Sequence, residues 1–442
     1  MSKAKVAHKE LNIPKLIFYG LQHLVVMFGA TILVPRITGL SPQVTLFGMG
    51  VGTLIFHCFA KGRVPVMLGS SFAFMVGILA ITDPVAGPFA GTALTHQDKL
   101  AYATGGIVVS GLVYLLLALI VKIVGPDKFM RFLPHAVTGP TVVLIGVILA
   151  PFAINQSMTN PILAVLTLAI IIIAMIWGSK MTKTIPILLG LVGAYIIAII
   201  MNALGMTNAD GGAVVSFAAV ADASIVGLPP FMLPRFNIVA ILIMVPFSFA
   251  TIAEHVADMV ILGEAMDEDL VRDKPGLPRT LFGDGVATTI ASLFGTPAST
   301  TYSENVGLTL LTKVFSSRVV QIGACFAILL GLSPLFAAVV NSIPPAVIGG
   351  ASIMLYGMIA AVGMKNVKKH VDLNFEKYLI IMAVMLVVGI GMRFGNAIVV
   401  NIAGTSVPLD RMNLAVAIVL GVFLNAVLPN KKKTEETDKD AG

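Results

Sequence analysis

Charged side chains are scarce in this chain. Asp, Glu, Lys and Arg make up 12% of its 442 residues, about half the share usual in a soluble globular protein. Hydrophobic residues reach 57%, and a soluble core of this length could not bury so much apolar surface, whereas a bilayer can. Cysteine is nearly absent: Cys58 and Cys325 lie in different apolar segments without metal-ligand spacing. That argues against a disulfide framework or a cysteine-based metal site and predicts two buried, inert thiols. No cleavable leader is evident, because the first apolar run is too long, lacks a small-residue cleavage site and reads as a membrane span. There is no His/Cys cluster, no phosphate-binding loop and no large soluble segment, which argues against a membrane enzyme. The net charge of +7 suggests a nucleic-acid partner at first sight, but the distribution of the basic residues points to membrane topology instead.

What the chain has is a succession of apolar runs about 20 residues long, the length a helix needs to cross roughly 30 Å of hydrocarbon. Barrel strands would alternate over about ten residues, and these runs do not alternate. A bilayer requires every backbone polar group to be satisfied internally, so the expectation is an all-α polytopic membrane protein. Fourteen spans are placed at 15–35, 42–60, 66–82, 100–121, 132–151, 161–178, 185–203, 236–262, 280–295, 301–312, 319–334, 343–363, 377–392 and 412–428. With that count both termini share one side. The termini and even-numbered loops then hold 24 of the 29 Lys and Arg residues, leaving Arg36, Lys99, Arg235, Arg393 and Arg411 opposite. The positive-inside rule places the richer side, with both termini, in the cytoplasm of a cell whose plasma (inner) membrane holds the chain.

The longest polar stretch on the sparse side, Thr207 to Pro234, follows the seventh span and divides the chain. The expected units are a tail over 1–14, a seven-span repeat over 15–203, an extracytoplasmic connector over 204–235, a second seven-span repeat over 236–428 and a tail over 429–442. Seven is odd, so the second repeat enters the membrane inverted, an arrangement common in transporters. The third span, around Leu68 to Phe74, and the tenth, around Thr300 to Gly307, are short and interrupted at matching places. Paired breaks of this kind point to a midplane binding site. The charged tail from Lys431 is expected to be disordered and without function.

Glu254, Asp258 and Glu304 are the clear intramembrane carboxylates, with Asp284 at the border of a span. Each costs on the order of 3 kcal/mol or more at the bilayer centre, so each needs a reason to be there. Glu254 and Asp258 stand at i and i+4, on one helix face. Glu304 opens a half-helix. Such carboxylates can take up and release a proton during transport; the alternative is a static polar cluster that holds helices together. His23 and His255 also lie in spans, where packing is the commoner role and a proton relay the rarer. Carboxylates without a fixed cation suit a neutral ligand that donates hydrogen bonds. Backbone amides at the breaks, at Phe72 and Ser303, suit carbonyl oxygens, and Phe72, Phe74 or Tyr302 could cover a planar ring. That combination suits a nucleobase and would repel an anion. A metal cation would want more oxygen ligands.

Four stretches carry a resemblance: Gln22-His23 through Gly29-Ala30-Thr31; Lys61-Gly62 through Gly69-Ser70-Ser71-Phe72-Ala73-Phe74; Ala253-Glu254-His255-Val256; and Thr300-Thr301-Tyr302-Ser303-Glu304-Asn305-Val306-Gly307 with Thr312-Lys313. In these, and over most of the chain, the sequence resembles the nucleobase–ascorbate transporter family (nucleobase:cation symporter type 2), within it the bacterial uracil permease subgroup. The resemblance implies a 7+7 inverted repeat of fourteen transmembrane segments, with a core domain (spans one to four and eight to eleven), a gate domain, and broken helices with short extended segments in spans 3 and 10. It implies a proton-coupled symporter importing uracil, commonly a homodimer through its gate domains, with a proton as coupling ion and no other cofactor. By position, Glu254 and Glu304 would bind the base, Phe72 and Ser303 would offer backbone contacts, Tyr302 and Ala30 would line the pocket, and Glu254, Asp258 and His23 would serve proton coupling. Two departures from the family pattern stand out. His is frequent in uracil permeases where Asp258 stands, and Gly is common where Ser303 stands. Asp at that position is common among purine-transporting relatives, which keeps a xanthine symporter as the alternative, although those relatives usually carry Gln where Glu304 stands. An anion carrier or a channel of the same architecture is the weaker rival.

Overall fold

The computed structural model describes residues 11–429 except 86, 133, 181, 395–397 and 403–404. The charged tail from Lys431 lies outside the described residues. The first part of the chain folds as α1 (Ile13–Thr38), α2 (Pro42–Phe59), the short strand β1 (Leu68–Ser70), α3 (Phe72–Thr82), α4 (His96–Val124), α5 (Pro126–Phe132), α6 (His135–Ser157), α7 (Pro161–Ile176) and α8 (Pro186–Ala203). A four-residue turn of helix, α9 (Ala218–Ala221), sits in the connector. The second part continues as α10 (Ile238–Met244), α11 (Phe247–Met266), α12 (Leu277–Leu293), β2 (Ser299–Thr301), α13 (Ser303–Thr312), α14 (Ser317–Gly331), α15 (Pro334–Asn341), α16 (Pro345–His370), α17 (Glu376–Phe394), the hairpin β3 (Val399–Ile402) and β4 (Thr405–Pro408), and α18 (Asn413–Val427).

Local chemistry sets the boundaries. Asn12, Ser41 and Asn160 each cap a helix by accepting from a first-turn amide, with proline in the first turn that follows. Thr95 and Asp98 form a reciprocal capping box at the start of α4. Gly39 ends α1 at φ 83°, a left-handed conformation that favours glycine. Pro246 interrupts the eighth span between α10 and α11 because it has no N–H to continue the ladder.

A helix, or a strand followed by a helix, lies at each expected span position. Among the described residues, seven helices are long and apolar enough to cross a membrane, taking Ile238–Met266 as one. An eighth is reached if α14 and α15, bent by 83°, count as one span. The apolar outer faces, such as Leu116, Leu119, Ile173 and Ile196, are exposed in the isolated chain, as expected where lipid is the solvent. The two cysteines correct an expectation: both are free but exposed rather than buried. Each sits on an apolar helix at a turn of the face that looks outward, and periodicity alone does not separate lipid-facing from core-facing apolar positions. The β3–β4 hairpin was not expected either, since strands of four residues are too short to show a period.

Two sets of helices pack among themselves. In the first, α2 packs on α14 and α12, α4 on α12 and α10, and α1 on α14. In the second, α6 packs on α16 and α17, α7 on α8 and α16, and α17 on α18. Missing side chains make a close crossing of α4 and α12 possible. A Cβ on Gly285 of α12 would lie 2.6 Å from Tyr114 Cβ and 2.9 Å from the Gly111 carbonyl of α4. Tyr114 in turn donates its hydroxyl to Thr251 on α11. A Gly285→Val change should wedge α4 from α12 and lower the apparent melting temperature by at least a few degrees. Thermal unfolding of the purified protein checks this, and an unchanged transition would refute the close crossing.

Candidate functional site

The site is built where two helices start in the middle of the fold. Strands β1 and β2 pair antiparallel, Leu68 with Thr301, Gly69 with Thr300 and Ser70 with Ser299. Each strand satisfies the backbone of the other, which lets both spans break without orphaned polar groups. From this ladder α3 and α13 run away in opposite senses, so both begin at the ladder. Ser71 caps α3 through the Phe74 amide, while Tyr302 provides no side-chain cap for α13. The first amides of each half-helix, at Phe72 and Ala73 and at Ser303 and Glu304, have no acceptor within their own helix. They carry the positive end of the helix dipole.

The three carboxylates gather at the start of α13. The Ser303 hydroxyl lies 3.1 Å from Glu254 Oε1 and 2.8 and 3.0 Å from the two Asp258 oxygens. The i, i+4 spacing of Glu254 and Asp258 on α11 therefore does put both on one face, and that face meets α13. A hydroxyl has one hydrogen to donate. It can serve one of the two carboxylates; the other contact is a hydrogen bond only when that carboxyl carries a proton and donates to Ser303. The cluster therefore has room for one shared proton among its three groups. Glu254 and Glu304 are exposed although their neighbours His255, Thr251, Asn305 and Val306 are buried. Because the contact through Ser303 joins α11 to α13, Glu254 faces a neighbouring helix rather than lipid, where a carboxylate would be costly.

The other expected residues fall in two groups. Ala30 and Tyr302 are buried in one small apolar cluster with Val26 and Leu308, and partly buried Phe72 packs against it. The Tyr302 ring leans on Gly69, where a Cβ would come within 3.1 Å. Phe74, offered as a possible cover for a ring, is fully buried and packs against Phe247. His23 is buried and places Nδ1 2.8 Å from Asn305 Oδ1, so it touches the half-helix that carries Glu304 and not a carboxylate. His255 turns away from Glu254, as its position about 100° round the helix requires, and sets Nδ1 3.0 Å from Asp284 Oδ2 with both side chains fully buried.

Asn305 and the His255–Asp284 pair were not foreseen as partners. Each involves residues far apart in the chain, and the only signal was a polar side chain inside an apolar span. Among the described residues no group of three His, Cys, Asp or Glu could hold a metal ion.

Comparison with known proteins adds ancestry to this geometry. Residues 14–398 match the profile of a family described as the Permease family. A protein named uracil permease from Bacillus subtilis (strain 168) is 36% identical, with 98% of each chain aligned. The uracil permease of Escherichia coli (strain K12) is 33% identical over 96% of this chain and 94% of its own length. Among solved structures, the transmembrane domain of a cyanobacterial bicarbonate transporter superposes with a TM-score of 0.61 at 15% identity, covering 96% of this chain and 98% of that one. A murine anion transporter in the inward-facing state gives 0.64 at 9% identity, covering 94% and 68%. At such low identity these two share the fold and nothing finer.

Proposed function

Since this chain belongs to the Permease family, we propose that it is a multi-pass membrane transporter, not an enzyme, and that it imports uracil together with a proton by alternating access. The observation that carries the reading is the meeting of Glu254 and Asp258 on the Ser303 hydroxyl, at the start of the half-helix that carries the open carboxylate of Glu304. Uracil is flat and neutral, with ring N–H groups beside carbonyls. Glu304 and Glu254 accept from the N–H groups. The first-turn amides at Phe72 and Ser303 donate to carbonyl oxygens, and Phe72, Tyr302 and Ala30 supply apolar wall. An anion such as bicarbonate would meet two carboxylates and be repelled, so kinship of fold with anion transporters does not extend to this site.

The coupling proton resides on the Glu254–Asp258–Ser303 cluster. With the proton bound, the cluster is satisfied internally and Glu254 is oriented for the base. Loss of the proton sets two carboxylates against one hydroxyl hydrogen and favours release. His23 holds α13 through Asn305 and steadies Glu304. No metal or organic cofactor is needed for these steps.

The packing supports two inverted seven-span repeats. Numbering α10–α11 as span eight and α12 as span nine, the contact of spans two and eleven (α2 with α14) is matched by that of spans nine and four (α12 with α4). The contact of spans six and seven (α7 with α8) is matched by that of thirteen and fourteen (α17 with α18). The first helical set then corresponds to the core, which carries the site, and the second to the gate, through which a homodimer would form. Both termini are placed in the cytoplasm and the membrane is the plasma (inner) membrane.

Radiolabelled uracil uptake into proteoliposomes, with and without an inward proton gradient and with excess xanthine, tests the proposal. Gradient-stimulated uptake that xanthine leaves unchanged is expected. Uptake blocked by xanthine, with poor uracil transport, would transfer the assignment to a purine carrier, the reading that Asp258 favours.

The two positions that depart from the family pattern touch each other, since Ser303 bonds Asp258. They should therefore be coupled. Ser303→Gly and Asp258→His alone are each expected to reduce uptake roughly tenfold or more, the cost of a buried charged hydrogen bond left unmade. The double variant should recover most of it. Strictly additive losses would show that the contact is incidental.

A further inference from the structure

A recess lies on the outer face of the first helical set, away from the carboxylates. It has a volume of about 730 Å³ and is bounded by the last turns of α2 and α4 and the first turns of α12. Its polar lining consists of Lys61, Lys122 and Arg279; beyond these the walls are apolar, with Phe59, Leu119 and Phe282 prominent. All three cations are exposed, and none takes part in an ion pair among the described residues. No carboxylate lines the recess.

The order along each helix is the informative feature. On α4, Leu115, Leu119 and Lys122 follow one face at i, i+4 and i+7, so the ammonium sits at the end of the helix and Leu115 about 10 Å deeper. On α12 the order is reversed in sequence but the same in depth: Arg279 is in the first turn and Phe282 one turn further in. On α2, Phe59 precedes Lys61, which lies just beyond the helix. Three helices thus place a cation at the same end of one groove and apolar surface below it. These ends belong to the lysine-rich side of the membrane. Leu119 and Phe282 are 52% and 39% exposed in the isolated chain, so the deeper part of the groove opens on the lipid.

We infer that this groove binds an anionic phospholipid, with its phosphate among Lys61, Lys122 and Arg279 and an acyl chain along Phe59, Leu119 and Phe282. Three positive charges without a counter-ion match a phosphate head group, and the apolar floor matches only a ligand that also carries a chain. A second copy of this chain is a poor occupant, because a two-fold contact would set these cations against their own images. The inference requires the membrane setting but not the identity of the transported solute. Juxtamembrane cations gain from anionic lipid in proportion to their number, so each one removed should weaken retention roughly fivefold.

The test is lipid retention by the full chain, purified in detergent and supplied with equal phosphatidylglycerol and phosphatidylcholine, read by native mass spectrometry. Phosphatidylglycerol should be retained at least tenfold over phosphatidylcholine, and the preference should vanish in Lys61→Gln/Lys122→Gln/Arg279→Gln. Gel filtration and uracil uptake show whether that variant is folded. If it is not, Lys122→Gln alone should show the roughly fivefold loss and Arg279→Lys should show none. Equal retention of the two lipids, or a preference unchanged in the variants, would overturn the inference. Inorganic phosphate stabilising the wild-type chain against heat as well as phosphatidylglycerol does would also overturn it, in favour of a soluble anion.

Discussion

Uracil binding by a Glu304→Gln variant is expected to fall on the order of 100-fold, with the fold intact. Glu304 opens α13 and is exposed while Asn305 beside it is buried. The substitution keeps the shape and removes the charge, replacing one accepting oxygen with an amide that donates. A hydrogen bond to a charged group is worth about 1.5–3 kcal/mol, and leaving a ring N–H opposite a donor adds to the loss. The upper end of that range corresponds to the stated factor. Isothermal titration or scintillation proximity binding measures it directly. Binding within threefold of wild type would remove Glu304 from the contact with substrate and leave its cost in the membrane unexplained.

Accumulation driven by a proton gradient is expected to disappear in Glu254→Gln. One pH unit is worth about 1.4 kcal/mol per proton, which sustains roughly tenfold accumulation by a one-proton symporter. The glutamine cannot release a proton, so the cluster with Asp258 and Ser303 remains permanently satisfied and the variant should do no better than equilibrate the solute. Exchange of labelled for unlabelled uracil, which requires no net proton movement, separates lost coupling from lost binding. Accumulation retained in Glu254→Gln but lost in Asp258→Asn would move the coupling role one turn along α11. Accumulation retained in both would place it outside the cluster altogether.

Much of this site was legible before any coordinates. The i, i+4 spacing of Glu254 and Asp258 sufficed to put them on one face, because helical geometry is local. The matching interruptions at Leu68–Phe74 and Thr300–Gly307 located the two breaks, since short polar stretches at corresponding places of two halves point to discontinuous helices. Ser303 was expected to act through its backbone; its hydroxyl as the link between two carboxylates was not foreseen, because that depends on which way α11 faces α13 across 45 residues of chain. His23 was expected to serve proton coupling, and its contact with Asn305 was not foreseen, because the two stand 282 residues apart. Phe74 and the two cysteines went astray for a common reason: alternate apolar positions in a membrane helix look alike in sequence whether they face lipid, core or cavity.

The amino-acid order therefore settled the class of molecule. Apolar runs of spanning length, sparse charge and one-sided lysines admit only a helical membrane protein, and acids inside spans are costly enough to single out the positions that need an explanation. Which acid meets which partner was left to the tertiary structure. The pairing of β1 with β2, the hydroxyl held between Glu254 and Asp258, and the cations collected from three helices at one groove all join residues remote in the chain, and such contacts follow from packing rather than from any local pattern.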